Sequence, residues 1–171
     1  MNNTKALSLK KEKVLVLTKF GILLAVCLIA PLIKQQLITG SLVNAALFTS
    51  TALLGIEAGL LISIIPSLAA LSLGLLPSAL ASMVPLIILG NAILVIVFNH
   101  FKERNFWQGV FWASFLKFMF LYGSSSLIMS LFLRKEILAS AALMMGWPQL
   151  ITALSGGLIA WFVLGLTKAL K

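Results

Sequence analysis

AGLLISIIPSLAALSLGLLPSALASMVPLIILGNAILVIVFNHF, residues 58–101, decides the fold: between Glu57 and Lys102 there is no Asp, Glu, Lys or Arg. One membrane-spanning helix takes about 20 apolar residues and this run is roughly twice that, so it folds back once within an apolar surround. The break falls at Gly74 to Pro77, because glycine and proline punctuate helices and the residue before a proline avoids the α region. That gives two spans, Ala58 to Leu73 and Ser78 to Phe98.

Working outward, the same reasoning parses the rest of the chain. Upstream, Met1 to Lys13 is a polar tail, and Val14 to Ile33 is an apolar first span interrupted only by Lys19, which can snorkel toward the interface. No small-x-small cleavage site closes that run, so it reads as a real first helix and not a signal peptide. Lys34, Gln35 and Gln36 form a polar break, and Gln35 to Ile56 is an uncharged but hydroxyl- and amide-bearing second span. Downstream, NHFKERN at 99–105 is the one strongly polar internal loop, and Phe106 to Leu133 makes a long fifth span for which tilt or a break near Gly123 is expected. After Arg134, Lys135 and Glu136, Ile137 to Met145 reads as a short interfacial segment, and Gly146, Trp147, Pro148 and Gln149 lead into the sixth span. The expected fold is therefore an all-α polytopic membrane protein: a cytoplasmic tail over 1–13 and one transmembrane domain of about six helices over 14–171.

Composition excludes most other classes. Hydrophobic residues make up 61% of the chain and charged ones 10%, with a mean hydropathy of +1.11, whereas a soluble domain carries roughly a quarter charged residues. Four acidic residues and one histidine leave little for acid/base catalysis or a carboxylate-and-imidazole metal cage, so neither an enzyme nor a metal or cofactor site is expected. Cys27 is the single cysteine and has no disulfide partner in the chain. The net charge of +9 comes from basic residues flanking apolar runs rather than a patch with interleaved aromatics, so it reads as a topology signal and not a nucleic-acid surface.

Positive residues favour the cytoplasmic side. With six spans, Lys5, Lys10, Lys11, Lys13, Lys102, Arg104, Lys168 and Lys171 share one face, against Lys34, Arg134 and Lys135 on the other. Both termini are accordingly expected in the cytoplasm.

Lys117 stands out among the interior polar residues, lying roughly 15 Å into its span at 1.5 Å per residue. A cation at that depth calls for a partner or a water-filled cavity. It reads as an anion-binding or gating group facing the bundle interior, as an ion pair with Glu57, or as a residue of a helix that starts later so that the ammonium reaches the interface. Asn44 and Asn91 need hydrogen-bond partners because hydrocarbon offers none; they serve as helix-to-helix glue or line a polar cavity. Trp147 and Gln149 fall near the outer face, where Trp147 is an aromatic-belt residue or a stacking platform. Tyr122 and Ser124 to Ser126 lie in the same outer half, so an outward-facing pocket built from Asn44, Asn91, Lys117, Tyr122, Trp147 and Gln149 is the expected site. Gly21 with Ala25, and Gly55 with Gly59, have the four-residue spacing that lets helices approach closely.

The runs LITGSLVNAALFTSTALLGIEAGLL (Leu37 to Leu61), MVPLIILGNAILVIVF (Met83 to Phe98) and PQLITALSGGLIA (Pro148 to Ala160) resemble the small substrate-binding membrane subunits, or S components, of energy-coupling factor transporters in prokaryotes. The resemblance is one of length, six spans and general pattern over nearly the whole chain. It implies capture of a vitamin, cofactor precursor or metal ion in an outward-facing pocket, followed by toppling on a coupling transmembrane subunit driven by two ATPase subunits in the plasma membrane. The chain itself has no G-x-x-x-x-G-K-[ST] phosphate loop. Family members carry an alanine-x-x-x-alanine docking face on the first helix; here Gly21 and Ala25 hold that spacing, with Ala30 five residues further on. Two other readings compete: a non-transporting anchor or assembly subunit of a larger membrane complex, which scatters the polar groups over helix contacts, and a small intramembrane enzyme, which the shortage of acidic residues and histidines places last.

Overall fold

The computed structural model describes residues 2–74, 81, 83–132 and 144–167, and among them every regular element is helical. Six helices follow in order: α1 (Asn2–Ile29), α2 (Gln36–Leu54), α3 (Ile56–Ser72), α4 (Val84–Phe101), α5 (Phe106–Phe132) and α6 (Trp147–Leu166), with a 3₁₀ turn (Ala30–Ile33) after α1. Among the described residues, four helical segments are long and apolar enough to cross a membrane: Ser8–Ile33, Gln36–Leu54, Val84–Phe101 and Trp147–Leu166. At 1.5 Å per residue, a 19-residue helix such as α2 spans about 28 Å, close to the hydrocarbon thickness of a bilayer. The shorter α3 is 17 residues and carries Pro66 within it.

The helix boundaries follow local chemistry. Pro31 cannot donate to the α1 ladder, so the helix tightens into the 3₁₀ turn. Lys34 then takes a left-handed conformation at φ 55°, with its N–H on the Pro31 carbonyl at 3.1 Å. Gln35 caps α2 through its side-chain oxygen, which accepts from Ile38 N at 2.7 Å. Gly55 alone separates α2 from α3 at φ +93°, a backbone state that glycine adopts without strain. Asn105 Oδ1 accepts from Gln108 N at 3.0 Å and starts α5.

Two differences from the sequence expectation concern helix extent. The polar tail is not a separate element, since α1 begins at Asn2 and runs through it; lysine is a good helix former and the adjoining span supplies the nucleus. Of the tilt or break near Gly123 expected for the fifth span, the break is absent, because α5 continues to Phe132 and glycine alone does not interrupt an i→i−4 ladder. The interfacial segment expected at Ile137 to Met145 and the Gly74–Pro77 turn lie largely outside the described residues; α3 does end at Ser72, with Gly74 left-handed at φ +64°.

Burial runs opposite to a soluble fold. Large apolar side chains face outward on every helix, among them Ile22, Leu61, Leu68, Leu89, Phe111, Met119, Leu158 and Phe162, far beyond the patch a water-soluble monomer exposes. Lys117, Asn44, Asn91, Thr49, Thr51 and Thr152 are buried instead. Hydrocarbon around such a bundle covers the first group, and in the second Lys117, Asn44, Asn91, Thr51 and Thr152 make hydrogen bonds inside it.

The interior has two ends. At one, Phe98 stands between Phe48 and Phe106 in edge-to-face pairs with centroids 4.9 and 5.4 Å apart, and Leu47, Ile62, Leu94, Val95 and Val110 close the space around them. Lys102 from the α4–α5 turn reaches this end and donates to the Thr51 carbonyl at 2.8 Å, holding the last turn of α2. At the other end, Lys34 after α1, Gly74 after α3 and Met144 before α6 converge around a cavity. The closest helix packing is α2 on α6 and α4 on α5, and the cavity sits where these pairs meet.

Candidate functional site

The cavity has a volume of about 500 Å³, within the range of small-molecule sites. Its rim is polar and exposed, with Lys34, Gln35 and Gly74. Its walls are mainly apolar: Cys27 from α1, Val43 from α2, Pro66 and Ala70 from α3, and Ile87 from α4. Its most buried polar lining residues are Asn44, Asn91 and Lys117, exposed by 2, 3 and 3% respectively.

Those three residues form one network. Lys117 Nζ donates to Asn44 Oδ1 and to Asn91 Oδ1, both at 2.6 Å. An ammonium has three donors and no acceptor, so it can meet only the oxygen of each amide, and that requirement fixes both side-chain orientations. The Asn44 amide nitrogen consequently faces Thr152 Oγ1, at 3.4 Å, and the Thr152 hydroxyl donates to the Gln149 carbonyl at 3.1 Å. Asn91 Nδ2 and the third Lys117 N–H have no partner among the described residues. Three helices thus meet at one cation, α2 through Asn44, α4 through Asn91 and α5 through Lys117 itself, and α6 joins the network through Thr152 on Asn44.

Small residues set this meeting distance. A Cβ at Gly156 would stand 2.6 Å from Asn44 Cβ and 2.8 Å from Ala45 N, and one at Gly40 would stand 2.9 Å from Thr152 Cβ. The α2–α6 backbones therefore approach as only glycine allows, which brings the Asn44 amide to the depth of Lys117. Two glutamines brace the rim: Gln36 Nε2 and Gln149 Nε2 both donate to the Met144 carbonyl, at 2.8 and 3.0 Å.

The electrostatics are one-sided. Among the described residues, Lys34 and Lys117 are the charged residues lining the cavity, and no Asp or Glu joins them. Among the described residues there is no cluster of three His, Cys, Asp or Glu able to hold a metal ion. Glu57, the alternative partner for Lys117, is exposed in the first turn of α3.

Of the six residues expected at the site, the structure brings together Asn44, Asn91, Lys117 and Gln149, all lining the cavity. Tyr122 and Trp147 lie outside it, each 57% exposed, with Tyr122 stacked on Phe118 at a centroid distance of 5.7 Å. Ser124 and Ser125 bond back to the carbonyls of Phe120 and Tyr122 on their own helix. Gly21 and Ala25 are both exposed on α1, and nothing lies within 4 Å of a Cβ built at Gly21. Of the second small pair, Gly59 makes a close approach, its Cβ position falling against Thr51 Oγ1 and Val95. The sequence reading missed Thr152, Thr39, Gln36 and Pro66. For Thr152 there was a signal: it shares a helix face with Gln149 and Gly156, three and four residues away.

No family model matches the chain, and no curated protein or solved structure is significantly similar to it.

Proposed function

We propose that the chain is a small-molecule-capturing membrane subunit of an importer, of the kind the S components of energy-coupling factor transporters represent, and that the cavity is where its substrate is held. The observation that carries this reading is the convergence of Asn44, Asn91 and Lys117 on a cavity of about 500 Å³. A membrane anchor would use such residues to fill helix contacts and would leave no space beside them. A buried cation costs free energy in an apolar surround, and keeping it at the wall of a chamber with an exposed polar rim suits a site that exchanges a ligand with water. The proposal is for an organic small molecule rather than a metal ion, because the described lining carries two lysines and, among the described residues, no carboxylate.

The charge balance of the flanking segments supports a cavity mouth on the outer side, since Lys34 belongs to the less basic face and the N-terminal lysines to the more basic one. In this reading the chain sits in a prokaryotic plasma membrane with both termini cytoplasmic. Energy comes from two ATPase subunits through a coupling transmembrane subunit, which meets the exposed Gly21 and Ala25 face of α1.

The test is to co-express the chain with candidate coupling and ATPase subunits, purify it in detergent, and identify by native mass spectrometry what stays bound. A complex that retains one small organic metabolite is the expected result. A chain that joins no coupling module and carries no small molecule sinks the importer reading and favours the anchor.

A further inference from the structure

The network at the base of the cavity is incomplete in a particular way. Lys117 brings a positive charge into the bundle and meets two neutral amide oxygens, each at 2.6 Å. Amide oxygens orient an ammonium but do not neutralise it, and a buried charge without an opposite charge is costly. The two donor groups left over, the third Lys117 N–H and Asn91 Nδ2, stand on neighbouring members of the network, and both residues line the cavity.

We infer that the cavity takes an organic monoanion, a compact apolar molecule whose single carboxylate lies between Lys117 and Asn91 while its body rests on Val43, Pro66, Ala70 and Ile87. This rests on the capture reading above and adds the chemical class of the ligand. A carboxylate has two oxygens for the two open donors, and its one charge balances the one buried cation. A phosphate ester carries about −1.5 to −2 and three acceptor oxygens, more than the pair of donors and one buried cation satisfy. A bare inorganic anion would leave the apolar walls uncovered. Lys34 on the rim adds a second positive charge in the exposed approach, where it raises the local concentration of an anion and contributes little to holding it.

The test uses the full chain purified in detergent and matched probes that differ only in charge: naphthaleneacetate with naphthaleneacetamide, cyclohexanepropanoate with its amide, and octanoate with octanamide. Binding is read by thermal shift and native mass spectrometry. Charge-assisted hydrogen bonds are worth more than neutral ones, so each acid that binds is expected to do so about tenfold or more tightly than its amide. Asn91→Asp is the informative variant, because it is isosteric and supplies the missing charge from the protein itself. It is expected to remain folded, with an unfolding temperature no lower than the parent's, and to lose the acid preference. Lys117→Met is expected to lose it as well.

Acids and amides binding equally well to the parent chain overturn the carboxylate assignment and leave capture standing. Absence of binding by every probe, together with no small molecule on the purified chain, overturns both. Repeating the measurement in nanodiscs of phosphatidylcholine and of phosphatidylglycerol separates a free carboxylate from a lipid phosphate. Acid preference in both supports the assignment; phosphatidylglycerol retained by the parent but not by Asn91→Asp, with the preference abolished, overturns it in favour of a headgroup.

Discussion

The two ends of this bundle are built by the same helices and differ in what a single turn of each contributes. On α4, Asn91 lines the cavity, and Leu94, Val95 and Phe98 close the opposite end. On α2 the change comes between Asn44 and Leu47 with Phe48, and on α5 between Lys117 and Ala113 with Val110. The closed end is apolar and filled by rings. The open end holds its helices by hydrogen bonds around a cation and leaves room above it. In water the hydrophobic effect would fill both ends alike, but among apolar helices in lipid the packing of side chains and interhelical hydrogen bonds decide the association. A chamber survives where polar groups fix the helices at a distance that no side chain fills.

Removing the keystone of the closed end tests this contrast most severely. Phe98 is fully buried and pairs with two rings, so Phe98→Ala is expected to destabilise the bundle by about 3–5 kcal/mol. The measurement is the free energy of unfolding in detergent or bicelles. Because the cavity lies beyond Asn91, the variant is expected to keep its relative preference among ligands at temperatures where it stays folded. Loss of that preference under such conditions would mean that the two ends are not separable.

A smaller effect is expected from pushing α2 and α6 apart at the open end. The Cβ of Gly156→Ala would meet the Asn44 Cβ and the Ala45 backbone nitrogen, neither of which can swing aside as a flexible side-chain tip would. Overpacking of this kind costs about 1–3 kcal/mol. It also moves Asn44 away from Lys117, so ligand affinity is expected to fall more than the stability loss alone would imply. Equal affinity in the parent and the variant, measured by titration of a bound ligand below the unfolding transition, would remove Asn44 from the site.

How much of this was legible in the sequence follows from what a bilayer demands of a chain. The spans could be read because every backbone group in hydrocarbon must be satisfied within its own helix, which forces long uninterrupted apolar runs. Lys117, Asn44 and Asn91 could be read because each is an expensive residue in such a run. What hydropathy does not encode is rotation: these helices are apolar on nearly all faces, so no single stripe marks the inward side. Tyr122 and Trp147 were grouped with the site by depth alone. At 3.6 residues per turn Tyr122 points about 140° round α5 from Lys117, and Trp147 about 160° round α6 from Gln149. Applying that angle to the sequence would have put Tyr122 outside the pocket and Leu121, which is fully buried, inside the bundle. The glycine contacts at Gly40 and Gly156 were not legible, since which helices pair is a tertiary fact.

The boundary between the two ends offers the finest test, at Ser114. Its hydroxyl is fully buried one turn before Lys117 and has no hydrogen-bond partner among the described residues. In a water-soluble core an orphaned hydroxyl costs about 1–3 kcal/mol, and its removal would stabilise the fold by a similar amount. In a membrane the reference state is also poor in water and also finds partners within its own helix, so measured hydrogen-bond effects shrink to about 0.6 kcal/mol. Ser114→Ala is therefore expected to raise stability by no more than about 1 kcal/mol, with ligand affinity unchanged because Ser114 does not line the cavity. A clear loss of stability would show that the hydroxyl has a partner at this boundary, such as an internal water, and that the polar layer around Lys117 extends a turn further into the closed end.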